Sequence, residues 1–330
     1  MYGRLAAGIA EDEALLRLLH AAPEPQQIPV LLFAAVHDLL LSGLGIELRE
    51  HYPNLSDAPT TGDPVPLFRS FCMEHATALQ ELITTHHTQT NEVGRCAQLL
   101  PALGLIEAEA GPLALVDVGT SAGLNLLLGY YRYDYRPGGP VGPHSTVHLE
   151  CATRGPVPVP GDIPAIAFAV GLDAAPIDVT DDDAVRWLEA CVWPDQADRF
   201  SRLTAAIELA RTKPPDVRRG DAVEDLPALV REAARHGHPV VANSWSLNYL
   251  TGESRIAYLV ALERLGSEFD ISWVLAESPA QTPELPVPTT VEAEHLTVLS
   301  TIRWRRGERH VDRQATTHPH GYWLHWESAQ

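Results

Sequence analysis

Cysteine is scarce in this chain, with four residues in 330, and Cys72, Cys96, Cys151 and Cys191 lie far apart without a C-x-x-C pairing. That excludes a disulfide scaffold in a chain of this length, and reduced thiols in a cytoplasmic protein are the simpler reading. Basic residues are also in deficit: 24 Lys and Arg against 43 Asp and Glu give a formal net charge of −19. A chain of that sign repels a phosphate backbone, so nucleic acid is not an expected partner. Long apolar runs are missing as well. The longest, residues 28–46, begins at Pro29 and contains His37 and Asp38, which suits a buried helix better than a membrane span. The opening segment MYGRLAAGIAEDEALL meets Glu11, Asp12 and Glu13 before any long apolar core, so it lacks the layout of a secretory signal. No internal repeat or low-complexity tract is visible. What remains is an ordinary globular composition, long enough for one large or two modest domains, and the expected partner is a small-molecule substrate.

The pattern changes part-way along the chain. The first hundred residues carry helical spacing near 11–21, 29–43, 66–86 and 91–103, with turn-rich breaks such as HYPNLSDAPTTGDPVP. From Leu113 onward, short apolar strands at 113–118, 131–135, 239–245, 271–277, 296–304 and 321–327 alternate with helical segments that include 181–192 and 195–211. This alternation predicts an α/β fold with a mostly parallel sheet. The polar stretch RRGERHVDR reads as a turn joining the last two strands into a hairpin, hence an antiparallel final strand. The proline- and glycine-rich region 138–178 reads as an inserted hairpin or lid. The expected organisation is a helical N-terminal cap region over 1–106 and a Rossmann-like domain over 107–330.

The segment LALVDVGTSAGLNLLLGY, residues 113–130, reads as strand, small-residue turn and helix, an arrangement that leaves helix N–H groups pointing at whatever lies above the strand end. Three chemistries use such a turn. A dinucleotide fingerprint needs G-x-G-x-x-G, and Ser121 stands where its second glycine is wanted. GTSAG also satisfies G-x-S-x-G, which makes Ser121 a candidate hydrolase nucleophile followed by an acid and then His318 or His320. Against a hydrolase, helices rather than strands precede the turn, and no H-G-G-type segment lies upstream. The third reading rests on Asp117-Val118-Gly119, which resembles the first motif of class I S-adenosylmethionine (SAM) dependent methyltransferases.

The phrases TNEVGRCAQLLPAL, LVDVGTSAGLNLLLGYYRYDY, GLDAAPIDVTDDDAVRWLEACVWPDQ, RRGDAVEDLPAL and THPHGYWLHWE together resemble a bacterial family known only as a domain of unknown function, itself similar to class I SAM-dependent methyltransferases. The likeness covers almost the whole chain. It implies a methyltransferase-type sheet, SAM as cofactor, and a cofactor loop of Asp117, Gly119, Thr120, Ser121 and Gly123. It further implies an acid at the end of the second strand that accepts both ribose hydroxyls. Asp134 in YRYDY is the nearest candidate, and Asp173 after IAFAVGL is its rival. Asp221 resembles the acid that meets the adenine amine, and Ser244 joins the cofactor group. Residues after the fourth strand commonly face the methyl group in that fold, which nominates Asn243 for catalysis and Trp245 and Asn248 for substrate contact.

Because methyl transfer is an in-line displacement, positioning and water exclusion accomplish much of it, with a base only where the acceptor must lose a proton. His318 and His320 in THPHGYW are the candidate bases. Asn91, Glu92 and Arg95 are candidate substrate contacts, and Glu92 and Arg95 also suit an intrahelical pair. Trp187 and Trp193 read as packing rather than a stacking platform. The cluster Arg303, Arg305, Arg306 and Arg309 reads as a solvated hairpin. A metal site is not among the expectations. The second function class is a serine hydrolase, and the third a SAM-binding protein without turnover.

Overall fold

The computed structural model describes residues 1–287, 293 and 295–327, and its contacts divide the chain into two compact units. The first comprises 1–91 and 178–207, and the second 92–177 and 208–330. In chain order the first unit contributes α1 (Tyr2–Ala10), α2 (Glu13–Leu19), α3 (Pro29–Leu41), α4 (Ile46–Arg49), α5 (Val65–Glu74) and α6 (Ala76–Thr85). Helix α7 (Cys96–Ala110) belongs to the second unit, and the chain returns to the first for α8 (Asp182–Ala190) and most of α9 (Ala197–Thr212). The helical unit therefore takes a second segment, 178–207, from the middle of the chain.

Helix α3 is the axis of the helical unit. Pro29 starts it with a preset φ, and every residue from Leu31 to Asp38 is buried, as an all-round apolar helix requires. The two polar residues in that run are satisfied: His37 is held through Nδ1 to the Ala190 carbonyl at 3.0 Å, and Asp38 accepts from Arg186 Nε at 3.0 Å. Helix α8, which supplies both partners, begins at Asp181, whose carboxylate caps the backbone N–H groups of Asp183 and Ala184. Trp187 is buried here, as its sequence context predicts, and donates Nε1–H to the His87 carbonyl at 3.0 Å. Among the described residues no helix is long and apolar enough to cross a membrane.

Among its described residues the second unit carries an eleven-stranded sheet: β1 (Leu113–Val118), β2 (Arg132–Arg136), β3 (Gly139–Val141), β4 (His148–Arg154), β5 (Ile166–Asp173), β6 (Val217–Arg219), β7 (His238–Ser244), β8 (Ile271–Glu277), β9 (Thr297–Arg305), β10 (Glu308–Thr317) and β11 (Trp323–Trp326). Their order is β3-β2-β4-β11-β10-β9-β8-β7-β1-β5-β6. The run β6-β5-β1-β7-β8 is parallel throughout. The strands β8 to β11 form an antiparallel meander, and β11 and β4 are parallel. The fold is thus α/β with a mostly parallel mixed sheet. β1 and β8 are buried along their whole length, which is why both read as mostly apolar runs.

Two differences from the sequence reading have plain causes. RRGERHVDR is mostly strand: Arg306 and Gly307, both at positive φ, form the tight turn, and β10 runs from Glu308 to Thr317 with its first half facing solvent, so its composition looks like a loop. The region 138–178 contributes β3, β4 and β5 to the sheet. In β2, Tyr133 and Tyr135 point inward and Arg132 and Asp134 lie on the other face, the alternation of a half-buried strand.

The core of this unit packs β1, β5, β7, β8 and β9 against α10 (Leu226–Ala233) and α11 (Gly252–Glu268). Gly266 lets α11 lie directly on Trp304: a Cβ there would stand 2.2 Å from the indole Cγ. The contact is fixed from one turn earlier, where Glu263 Oε2 accepts from Trp304 Nε1 at 2.9 Å. Gly266→Ala is expected to destabilise the protein by about 1–3 kcal/mol, because the ring has no free space to move into. A guanidinium denaturation midpoint equal to wild type contradicts this packing.

Candidate functional site at the carboxyl ends of the central strands

After an excursion through β2, β3 and β4 at the far edge, the chain places β5 and β6 on one side of β1 and then β7 and β8 on the other, so among these five parallel strands the order reverses between β1 and β7. Such a reversal opens a crevice outside the carboxyl ends of the strands, where α/β sheets bind ligands. The residues delivered there are Asp117 to Gly123 after β1, Asp173 closing β5, Asn243 to Ser246 at the end of β7, and Glu277 closing β8.

Asp117 is buried and its Oδ2 accepts from Thr120 Oγ1 at 2.7 Å. Burial pushes its carboxyl up to about 6; the Thr120 hydroxyl pulls it back and the negative charge of Asp173 adds to the rise. Thr120 is itself pressed on β5, since a Cβ on Gly171 would stand 2.4 Å from its methyl carbon. Gly119 is exposed at φ 77°, and Ser121 takes φ 54°, a conformation that costs a non-glycine residue roughly 1–2 kcal/mol. The loop is tied to the neighbouring strand: Ser121 N–H donates to Asp173 Oδ2 at 2.7 Å, and Ala175 N–H to Asp173 Oδ1 at 2.9 Å. The helix predicted after this turn is instead a seven-residue 3₁₀ segment, Leu124–Tyr130. Left-handed Gly123 starts it without a side-chain cap, and the hydroxyls of Tyr131 and Tyr133 draw off the carbonyls of Leu124 and Leu128. The N-terminal anion site of a regular helix is therefore not formed here.

On the other side of the crevice, Asn243 is fully buried and all its amide capacity is used. Its Nδ2 donates to the Val118 carbonyl and to Ser246 Oγ, and its Oδ1 accepts from Tyr258 OH and Trp273 Nε1. The side chain expected to serve catalysis thus fastens β7 to β1. Ser246 covers one side of Gly119, where a Cβ would stand 2.4 Å from that of Ser246. Trp245 holds φ 54° and donates Nε1–H to Thr297 Oγ1 at 2.9 Å.

Glu277 is the last residue of β8, beyond Val274, which lies level with Asp117 across β7. Its Oε1 accepts from the N–H groups of Ser246 and Leu247, at 2.9 and 3.2 Å. Burial pushes the carboxyl up to about 7, against the pull of those N–H groups and of the Arg95 charge. Three buried polar atoms of this region, Glu277 Oε2, Ser244 Oγ and Asn248 Oδ1, have no hydrogen-bond partner among the described residues.

Arg95 is buried and donates from Nε to the Pro319 carbonyl and from Nη1 to the Ser244 carbonyl, each at 2.9 Å. It joins the 318–321 loop to the end of β7. The same loop meets the Val93–Arg95 turn backbone to backbone: a Cβ on Gly94 would stand 2.4 Å from the His320 carbonyl oxygen. Glu92 caps that turn by accepting from Gly94 N–H at 2.9 Å, and its Oε2 lies 3.9 Å from His320 Nδ1. His318 Nδ1 accepts from His320 N–H at 3.1 Å, and the two rings are 5.4 Å apart. Asn91 is half-buried and ends the first segment of the helical unit.

Two expected cofactor contacts are placed differently. Asp134 sits on β2, which pairs with β3 and β4 and not with β1, and it is paired with Arg136 at 2.8 Å. The acid on the strand beside β1 is Asp173. Asp221 follows β6, but its Oδ1 accepts from Val223 and Glu224 N–H groups and so caps a turn. Asp134, His148 and Glu150 offer ligand atoms within 4.8 Å of one another, yet Arg136 bridges both carboxylates. In the arginine cluster of the β9–β10 hairpin, Arg303, Arg305 and Arg309 are paired with Glu109, Glu263 and Asp312. Glu277 and Ser246 escaped sequence reasoning, although ISWVLAE ends in an acid as LALVD does.

The raised carboxyl of Glu277 makes a pH-dependent test. In the folded protein it keeps its proton through a range where the unfolded group, near 4.5, has lost it. Its contribution to stability is therefore complete below pH 4.5 and drains away as pH rises to about 7. Relative to wild type, Glu277→Gln is expected to gain stability across that window, on the order of 3 kcal/mol. Parallel denaturation of the two proteins at a series of pH values checks this, and a pH-independent difference refutes it.

No curated protein and no solved structure matches this chain. A family described as "Uncharacterized protein conserved in bacteria (DUF2332)" matches residues 1–326, in agreement with the motifs quoted from the sequence, and the chain belongs to that family.

Proposed function

We propose that this protein is a SAM-dependent methyltransferase acting on a small-molecule acceptor. The observation that carries the reading is the parallel run β6-β5-β1-β7-β8. Numbered among themselves in chain order these strands run 3-2-1-4-5, the order of doubly wound nucleotide-binding sheets, with an exposed glycine turn at the reversal and a carboxylate, Asp173, on the adjacent strand. Each Asp173 oxygen accepts one backbone N–H, which leaves lone pairs for ribose hydroxyls. Asp117 and Glu277 bring buried carboxyl groups to the strand ends, opposed by the charge of Arg95, a balance that suits a sulfonium cation. When bound, SAM supplies an activated methyl group on sulfur. The chain's own work is to hold the nucleoside at Gly119 and Asp173 and to exclude water from the acceptor.

Ser121 at positive φ also favours the nucleophile-elbow reading, since such a serine sits on a strained turn. The 3₁₀ segment after it argues the other way, because an elbow leads into a regular helix.

Calorimetric titration and thermal shift with SAM test the proposal. Binding is expected, with Asp173→Ala at least about tenfold weaker through loss of charge-assisted hydrogen bonds, and Asp134→Ala unchanged. No heat and no shift at millimolar SAM removes the reading. Labelling of wild type but not of Ser121→Ala by a fluorophosphonate replaces it with a hydrolase.

A further inference from the structure

The carboxyl end of β8 opens on a cavity of ≈ 180 Å³ whose lining includes Leu275, Glu277, Pro279, Thr282, Leu285 and Val298. An apolar enclosure near this size holds a benzene-sized molecule in other proteins. Its wall, the segment following Glu277, is an anchored structure. Arg255 at the start of α11 grips Glu284 with two bonds of 2.6 and 3.0 Å and also donates to the Leu250 carbonyl at 2.5 Å. Thr282 closes a turn onto the Ser278 carbonyl from both its backbone N–H and its hydroxyl.

Among the described residues of that lining Glu277 is the one ionisable group, and it is 3% exposed. One of its oxygens is fixed by the Ser246 and Leu247 N–H groups, so the carboxylate cannot swing away. The other oxygen has no partner among the described residues. A buried carboxylate oxygen left open costs a protein several kcal/mol unless a ligand or water satisfies it. Its natural complement is an N–H or O–H donor carried on an apolar body that fills the space between Leu275, Leu285 and Val298.

We infer that this cavity is the acceptor subsite, binding a small, largely apolar molecule through one N–H or O–H donor to Glu277 Oε2. The inference rests on the methyltransferase reading only in calling that molecule the methyl acceptor; the recognition chemistry stands on the cavity and its carboxylate. The ring-sized, largely apolar volume selects against sugars and polyamines, whose several polar groups have few partners among the described lining residues.

The test uses the full chain without SAM, at about pH 8.5, and two fluorinated probes of like shape followed by fluorine NMR: 5-fluoroindole, with a ring N–H, and 5-fluorobenzofuran, without one. Wild type is expected to bind the indole about tenfold or more tighter than the benzofuran. Glu277→Gln keeps an oxygen for Ser246 and Leu247 but turns an amide NH₂ toward the cavity, so the indole preference is expected to vanish while benzofuran still binds. Leu285→Trp, which fills the space, is expected to remove both. Equal binding of the two probes by wild type, no binding of either, or a preference that survives Glu277→Gln overturns the inference. If SAM fails to bind while the indole preference appears, the cofactor reading falls and the subsite stands; the reverse pattern sinks the subsite alone.

Discussion

The second unit is organised by two carboxyl groups kept out of water at the ends of strands that are buried from end to end. An isolated ionised carboxylate is expensive in such a place, and proteins answer by hydrogen bonding, by an opposing charge, or by holding the proton. All three answers are visible. Thr120 serves Asp117, the N–H groups of Ser246 and Leu247 serve Glu277, and Arg95 opposes both charges from within the same crevice. What these bonds leave uncompensated appears as carboxyls pushed up to about 6 and about 7. The turns after β1 and β7 are shaped by the same bonds. Ser246 cannot move from Gly119 without releasing Glu277, and Ser121 cannot relax from positive φ without giving up Asp173.

Arg95 adds a second constraint. Its guanidinium is committed to two backbone carbonyls, so it acts as a brace between β7 and the 318–321 loop rather than as a free cation waiting for an anion. A planar fork with fixed donors suits this use, and its charge then reaches the neighbouring carboxyls through space. Gly94 and Gly321 permit the close backbone approach that the brace requires. The His318 and His320 pair is positioned by this joint, one ring oriented by the backbone N–H of the other.

How far the sequence could be read follows from which physical signal each element carries. β1 and β8 announce themselves because strands buried on both faces become mostly apolar runs, and α3 does so for the same reason. β10 hides because half of it faces solvent, and β6 because three residues, two of them arginine, carry no pattern. The site was harder. Nearness in sequence points to Asp134, whereas β2, β3 and β4 are an excursion to the far edge and the strand beside β1 is β5. Only the pairing decides that, and pairing is not a local property. Asn243 was a fair candidate as a polar residue at a strand end; that Tyr258 and Trp273 consume its carbonyl oxygen is known only once α11 and β8 are packed against it. Glu277, by contrast, was legible by the rule already applied to Asp117.

The economy of the crevice points to ligand chemistry rather than to stability. Two non-glycine residues, Ser121 and Trp245, sit at positive φ at the ends of adjacent strands, and each such placement costs on the order of 1–3 kcal/mol. Two carboxyls are buried beside them, and the unsatisfied atoms of Ser244, Asn248 and Glu277 lie in the same stretch of structure. An amide or an apolar side chain in place of Glu277 would make a more stable protein by the ordinary accounting of buried charge. Local rules broken together in one place are what a binding or catalytic centre looks like when a sequence must serve more than its own folding. The helical unit differs in its backbone: it too buries atoms without partners, on Tyr2, Gln26, Tyr52 and Asn54, but its buried His37 and Asp38 are each matched, and among its described residues no non-glycine residue takes positive φ.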